Sequence, residues 1–353
     1  MSLRSLVPAS AFAAVLTMSY SSVALEKFSL QMGATAPSVS YLRFYVAEAV
    51  GFNKVENLDV KIQYSQGAPQ ATQLVLAGQA DIGVVSFEPV VQGFEKRILG
   101  KAVAGISKEL VYYIAVPENS TITSASDLKG KKIGVVNLGS ASIPIARSIL
   151  RRAGIQPGPD TFVPVGAFDQ AAAALNSGAV EALALFEGMY LSMERAGSKF
   201  RYIKHPTLEK FGNGILLASP QGIASKREQI CGFGRALGKA TAFMRANPEA
   251  ALKVWWQVNP SAKRGATDAE AIANGLPEIL AINKTIDVGS PPQTKYGTVN
   301  PELLQQYIDI FKEEGVVAVT PKPEDIYDNS FAECMSKFDT NKVMEEAKAW
   351  KMH

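Results

Sequence analysis

Two Phe-Glu pairs, Phe87-Glu88 and Phe186-Glu187, each stand at the end of the same local pattern. The first copy opens Gly78-Gln79-Ala80-Asp81 and runs through Ile82-Gly83-Val84-Val85-Ser86 into its pair. The second opens Gly178-Ala179-Val180-Glu181 and runs through Ala182-Leu183-Ala184-Leu185. A short apolar run after a Gly turn reads as a buried parallel strand, and ligands of open α/β sheets bind beyond the carboxyl ends of such strands. A carboxylate at that point accepts hydrogen bonds from a ligand N–H or balances a positive charge. A carboxylate that merely favours the start of a helix would look the same. If both Glu88 and Glu187 face one cleft, they repel a bare sulfonate or nitrate. At a suitable separation they would also be the acid and base of a hydrolase.

Other residues suit contact with a small molecule. Tyr41, Phe87, Phe168, Phe186 and Tyr190 offer rings that stack on a planar ligand, although most aromatics in a chain this size pack the core. Thr35 and Ser38 in one strand-to-helix loop, and Asn137, Gly139 and Ser140 in another, bring hydroxyls and backbone N–H groups to helix starts. For any single Ser, plain helix capping is the stronger explanation, and it is the two loops together that point to a ligand. Gly67 lies in a further loop, and Ser86 ends the first apolar run. Lys108 and Glu109 stand beside a strand and either reach the cleft or are solvated. With only His205 and His353, neither a His-based triad nor a His-rich metal site can be assembled, so no metal or cofactor is expected. Gly232-Phe233-Gly234-Arg235-Ala236-Leu237-Gly238 imitates a dinucleotide loop but has no strand before it, and reads as a small-residue helix face.

The elements that position these residues follow a βαβαβ order, which folds as a doubly wound sheet. Strands are expected at Phe28–Met32, Leu58–Tyr64, Val111–Val116, Ile133–Val136, Phe162–Val165 and Gly214–Ala218. A helix is expected over Tyr41–Val50, with Leu42, Tyr45, Val46 and Ala49 on its packed face. The last third is mostly helical, with Asn-Pro starts at Asn247 and Asn300 and an apolar stripe from Leu303 to Phe311. Ile286–Val299 reads as a loop.

At 353 residues and 47% apolar content the chain can bury two ordinary cores. A net charge of +3 without a basic run gives no reason to invoke nucleic acid or a membrane surface. Arg4, the apolar stretch Leu6–Tyr20 and Ser22-Val23-Ala24 read as a secretory signal occupying residues 1–24. No Cys follows it closely, so no lipid anchor is expected. Cys231 and Cys334 would close a loop worth about 4–5 kcal/mol as a disulfide, or else sit as two buried thiols.

Gly78-Gln79-Ala80-Asp81-Ile82, Asp127-Leu128-Lys129-Gly130-Lys131-Lys132-Ile133-Gly134-Val135 and Asn247-Pro248-Glu249-Ala250-Ala251 resemble the solute-binding proteins of ABC importers. The nearest branch includes aliphatic-sulfonate, nitrate and thiamine-precursor binders. The resemblance implies a type II periplasmic binding fold. Two doubly wound Rossmann-like α/β lobes would be joined by a two-strand hinge, with a helical C-terminal region on the first lobe. The lobes are expected at 25–115 with 218–353, and at 116–217. It implies a periplasmic monomer that is not an enzyme, takes a small solute and docks on an inner-membrane ABC permease. Sulfonate binders of this branch often carry Trp-Asp-Pro where this chain has Phe186-Glu187-Gly188, whereas thiamine-precursor relatives carry a stretch ending Glu-Gly. That departure disfavours a sulfonate, and the two carboxylates and the aromatic residues point to a planar nitrogenous or aromatic solute, such as a pyrimidine thiamine precursor. An oxyanion is the alternative, and a secreted carboxylate-dependent hydrolase a further one. A biosynthetic relative that consumes its own active-site His is disfavoured by the signal and the scarcity of His.

Overall fold

The computed structural model describes residues 24–286, 294–313 and 315–351. Residues 1–23 of the signal segment, His353 and residues 287–293 of the loop expected at Ile286–Val299 lie outside them. Ten strands follow in chain order. They are β1 (Glu26–Met32), β2 (Leu58–Tyr64), β3 (Ile82–Ser86), β4 (Lys101–Gly105) and β5 (Tyr112–Pro117). Then come β6 (Ile133–Val135), β7 (Phe162–Pro164), β8 (Ala182–Phe186), β9 (Phe200–Ile203) and β10 (Gly214–Ala218).

They form two sheets, in the orders β2-β1-β3-β10-β4 and β7-β6-β8-β5-β9. The two orders correspond position by position. The first three strands of each are parallel, with Leu30 opposite Ile62 and Ile82 in one and Gly134 opposite Val163 and Leu183 in the other. The fourth strand of each, β10 and β5, runs antiparallel to both neighbours. Each lobe is thus a mixed sheet whose fourth strand arrives directly from the other lobe.

The repeated pattern is the visible trace of this correspondence. Gly78 and Gly178 turn with φ of 71° and 73°, a left-handed geometry that glycine adopts without strain. The acidic residue that follows anchors a neighbouring strand. Asp81 accepts from Ser29 N and Oγ at 2.7 and 2.8 Å and pairs with Lys226 at 2.6 Å. Glu181 accepts from Lys132 N at 2.9 Å.

The expected lobe boundaries shift. Val111–Val116, assigned to the first lobe, lies almost wholly in β5 of the second sheet, with Ile114 opposite Ala184 and Ile203. The crossings occupy residues 106–111 and 204–213, irregular segments before β5 and β10 rather than strands of a hinge. A strand's apolar sequence sets that it will pair but not with which sheet, which is why the boundary was misplaced.

Helices Arg227–Ala246, Pro248–Val258 and Asp268–Thr285 cover the first sheet, with Phe233, Phe243, Trp255 and Ile279 in its core. Gly234 and Gly238 leave room for Met335 and Phe338, so the false dinucleotide loop is a packing face of a buried helix. Cys231 and Cys334 are joined by a disulfide, with Cα atoms 5.5 Å apart. Helix Leu42–Ala49 is buried from Leu42 through Ala47, while Ala49, expected on the packed face, is exposed. No described helix is long and apolar enough to cross a membrane.

Candidate functional site

The lobes meet along a cleft at the carboxyl ends of β1, β3, β6 and β8, where an open sheet binds ligands. Its central cavity has a volume of about 60 Å³ and takes walls from both lobes, among them Tyr41, Arg43 and Ser86 on one side and Tyr112, Phe186 and Glu187 on the other. A second cavity of about 40 Å³ adjoins it through Tyr112 and Phe186. At roughly 10–15 Å³ per water-sized position, the two have room for a solute of about one ring.

Glu187 starts helix Glu187–Arg195 and turns its carboxylate into the central cavity. Thr285 of the first lobe donates its hydroxyl to Glu187 Oε1 at 2.6 Å. Burial pushes this carboxyl up to about 7, while the Thr285 hydroxyl and then the Arg43 charge pull it back. Glu109 adds to the rise and Lys204 opposes it. The rings of Tyr41 and Phe186 touch across the lobes, with centroids 6.1 Å apart and planes tilted by 36°.

Thr35, Gly67, Asn137 and Ser140 line the adjoining cavity. Asn137 Nδ2 donates across the lobes to Gln66 O at 3.1 Å, and its Oδ1 accepts from Gly139 N at 2.8 Å. Gly139 thus supports the Asn137 side chain and lines neither of these two cavities. Ser38 and Phe168 lie in a third interlobe cavity of about 320 Å³. Ser38 caps its own turn by accepting from Ser40 N at 3.4 Å. Phe168 has φ 49°, a strained backbone for a side chain of this size.

Three expected contact residues lie behind the site. Phe87 is fully buried against Phe211 and Tyr307. Tyr190 packs beside Tyr113, and its hydroxyl donates to Leu183 O and accepts from Leu185 N, each at 2.8 Å. Glu88 is 1% exposed and lines none of these cavities. Asn213 Nδ2 donates to its Oε1 at 2.8 Å, and burial pushes its carboxyl up against the opposing effect of Ser86 and Tyr307. Asn213 Oδ1 also accepts from Val111 N at 3.2 Å, so Glu88 braces the two crossings. The crossings are tied symmetrically to the helix starts, with Phe87 N donating to Asn213 O and Glu187 N to Val111 O.

Arg43 and Tyr112 were not foreseen. An Arg in an amphipathic helix reads as a solvated charge, and Tyr112 reads as one ring of a buried strand. Arg43 is 3% exposed, and burial pulls its guanidinium down from the usual range. His205 is buried with Ser148 Oγ 2.9 Å from its Nε2, and Leu208 N donates to its Nδ1. Among the described residues no cluster of three or more His, Cys, Asp or Glu side chains could hold a metal.

Two lobes of matching strand order, closed on a small cavity between them, define a periplasmic binding protein fold. The chain belongs to the NMT1/THI5-like family, whose sequence profile matches residues 39–251. A solved protein of Bordetella bronchiseptica RB50 is similar over 91% of this chain and 97% of its own, at 21% identity and a TM-score of 0.67. The alkanesulfonate-binding protein of Xanthomonas axonopodis pv. citri, bound to MOPS, covers 86% of this chain and 98% of its own at 16% identity, with a TM-score of 0.63. The periplasmic aliphatic sulphonate-binding protein of Escherichia coli gives 20% identity, 86% and 92% coverage and a TM-score of 0.61. No curated protein matches the chain significantly.

Proposed function

We propose that this chain is the solute-binding receptor of an ABC importer, which closes around one small molecule and presents it to a membrane permease. The observation that carries the reading is the central cavity, whose walls come from both lobes, so that a bound solute favours the closed arrangement. The sulfonate-binding proteins among the structural neighbours support the receptor class. The rings of Tyr41 and Phe186 on the cavity wall and the carboxyl of Glu187 support a planar nitrogenous or aromatic solute, such as a pyrimidine. Arg43 on the same cavity supports the alternative of an oxyanion. A hydrolase with Glu88 and Glu187 as paired carboxyls loses its support, because Glu88 braces the crossings instead of facing that cavity. The signal segment supports a periplasmic location.

Isothermal titration of the mature protein with pyrimidines, aromatic acids, sulfonates and nitrate tests the reading. Saturable one-to-one binding without turnover supports it. Binding of none of them, or turnover of any, contradicts it.

A further inference from the structure

Arg43 is a buried cation without a counterion among the described residues. Its Nη1 donates to the Ile286 carbonyl at 3.4 Å, a long contact, and its Nε has no partner among them. Glu187 lies near enough to feel the Arg43 charge, yet the two do not pair, and Oε1 of Glu187 takes the Thr285 hydroxyl instead. Both side chains line the central cavity. Buried charges are ordinarily paired, because an isolated one is costly to hold away from water. The space between a guanidinium and a carboxyl that do not pair with each other is where a ligand with complementary groups fits.

The geometry narrows those groups. Arg43 is the cation among the residues that line the central cavity, and its one hydrogen bond among the described residues is the long contact to Ile286 O. A guanidinium donates two parallel N–H bonds and matches the two coplanar oxygens of a carboxylate. A neutral heterocycle meets Glu187 and stacks on the rings but adds no anion beside Arg43, which has the Phe44 ring 5.4 Å from its guanidinium carbon and the charge of Glu187 nearby but no ion pair among the described residues. A bare oxyanion meets Arg43 but gives neither the rings nor Glu187 a partner.

We infer that the solute is an aromatic or heteroaromatic carboxylic acid carrying an N–H or O–H donor. Its carboxylate pairs with the Arg43 guanidinium, its ring packs against the Tyr41–Phe186 pair, and its donor meets Glu187. This inference rests on the receptor reading and specifies its ligand.

Matched acids and amides test it by isothermal titration: benzoate with benzamide, nicotinate with nicotinamide, and 4-aminobenzoate with 4-aminobenzamide. Within the pairs that bind, the wild type is expected to hold the acid at least tenfold more tightly than the amide, with 4-aminobenzoate the tightest acid. Arg43→Met should erase the preference, and Arg43→Lys should keep part of it. Equal affinity for acid and amide, or a preference that survives Arg43→Met, overturns the inference. So does binding of neutral pyrimidines by a protein that takes none of the acids, an outcome that leaves the receptor standing. Binding of no solute in either set removes both. If Arg43→Met does not fold, the acid-to-amide ratio in the wild type decides alone.

Discussion

Glu187 is the residue at which burial, ligand contact and pH meet. Its carboxyl is raised from 4.5 to about 7, so the folded state holds a proton that the unfolded chain has released. The stability this contributes is fully present below about pH 4.5 and is lost as pH rises toward 7, at about 1.4 kcal/mol for each pH unit crossed. Melting temperature should therefore fall between pH 5 and 7, and Glu187→Gln should flatten that fall. A remaining slope is expected from Glu278, which burial also pushes up to about 7. Glu88 predicts a different pattern, since its carboxyl also favours the protonated form but touches the crossings. Glu88→Gln keeps the shape and should change affinity little. Glu88→Ala leaves the Asn213 amide unpaired and should cost about 2–4 kcal/mol in denaturant unfolding. The sequence made the two glutamates look equivalent because their local contexts are alike; only the three-dimensional arrangement separates a cavity wall from a brace. Arg43 was illegible for the complementary reason. Charged residues are almost never buried, and nothing local reveals that the C-terminal helices cover its side of the helix.

At the scale of elements, the closed arrangement depends on the start of helix Glu187–Arg195. A Cβ at Gly188 would lie 2.3 and 2.4 Å from the Ser40 and Ser38 hydroxyls of the opposite lobe. Ala can be accommodated if the serines rotate, but Val cannot. Gly188→Val should weaken solute binding by at least tenfold in isothermal titration, because its side chain meets hydroxyls of the opposite lobe. Further along the same helix Arg195 reaches across to Glu278 at 3.2 Å and to Ala262 O at 2.8 Å, joining the lobes a second time. β3 and β8 were legible as short apolar runs behind a Gly turn. β4 and β9 were not. Lys101-Ala102-Val103-Ala104-Gly105 is built of small residues with weak strand preference, and Phe200-Arg201-Tyr202-Ile203 is a partly polar edge strand.

Over the whole molecule, the matching strand orders explain why one pattern recurs in the sequence. The two-lobe α/β architecture followed from that recurrence and from the family resemblance. The antiparallel fourth strands and the true crossing points did not, because exchange of strands between lobes is a long-range choice. The disulfide between Cys231 and Cys334 fastens helix Arg227–Ala246 to the C-terminal helices across a sequence separation of 103 residues. Replacing both cysteines by Ser should lower stability by up to about 4–5 kcal/mol, or on the order of 10 °C in melting temperature, without altering solute preference. The central claim is that a small aromatic or nitrogenous solute closes the lobes over Glu187. The most direct measurement is a thermal-shift screen of wild type, Glu187→Gln and Gly188→Val against pyrimidines, aromatic acids, sulfonates and nitrate. A solute at a hundred times its Kd should add about 2.7 kcal/mol. The account predicts a shift with an aromatic or nitrogenous solute that shrinks in both variants. A shift with nitrate or simple sulfonates alone, or one unchanged in both variants, would contradict it.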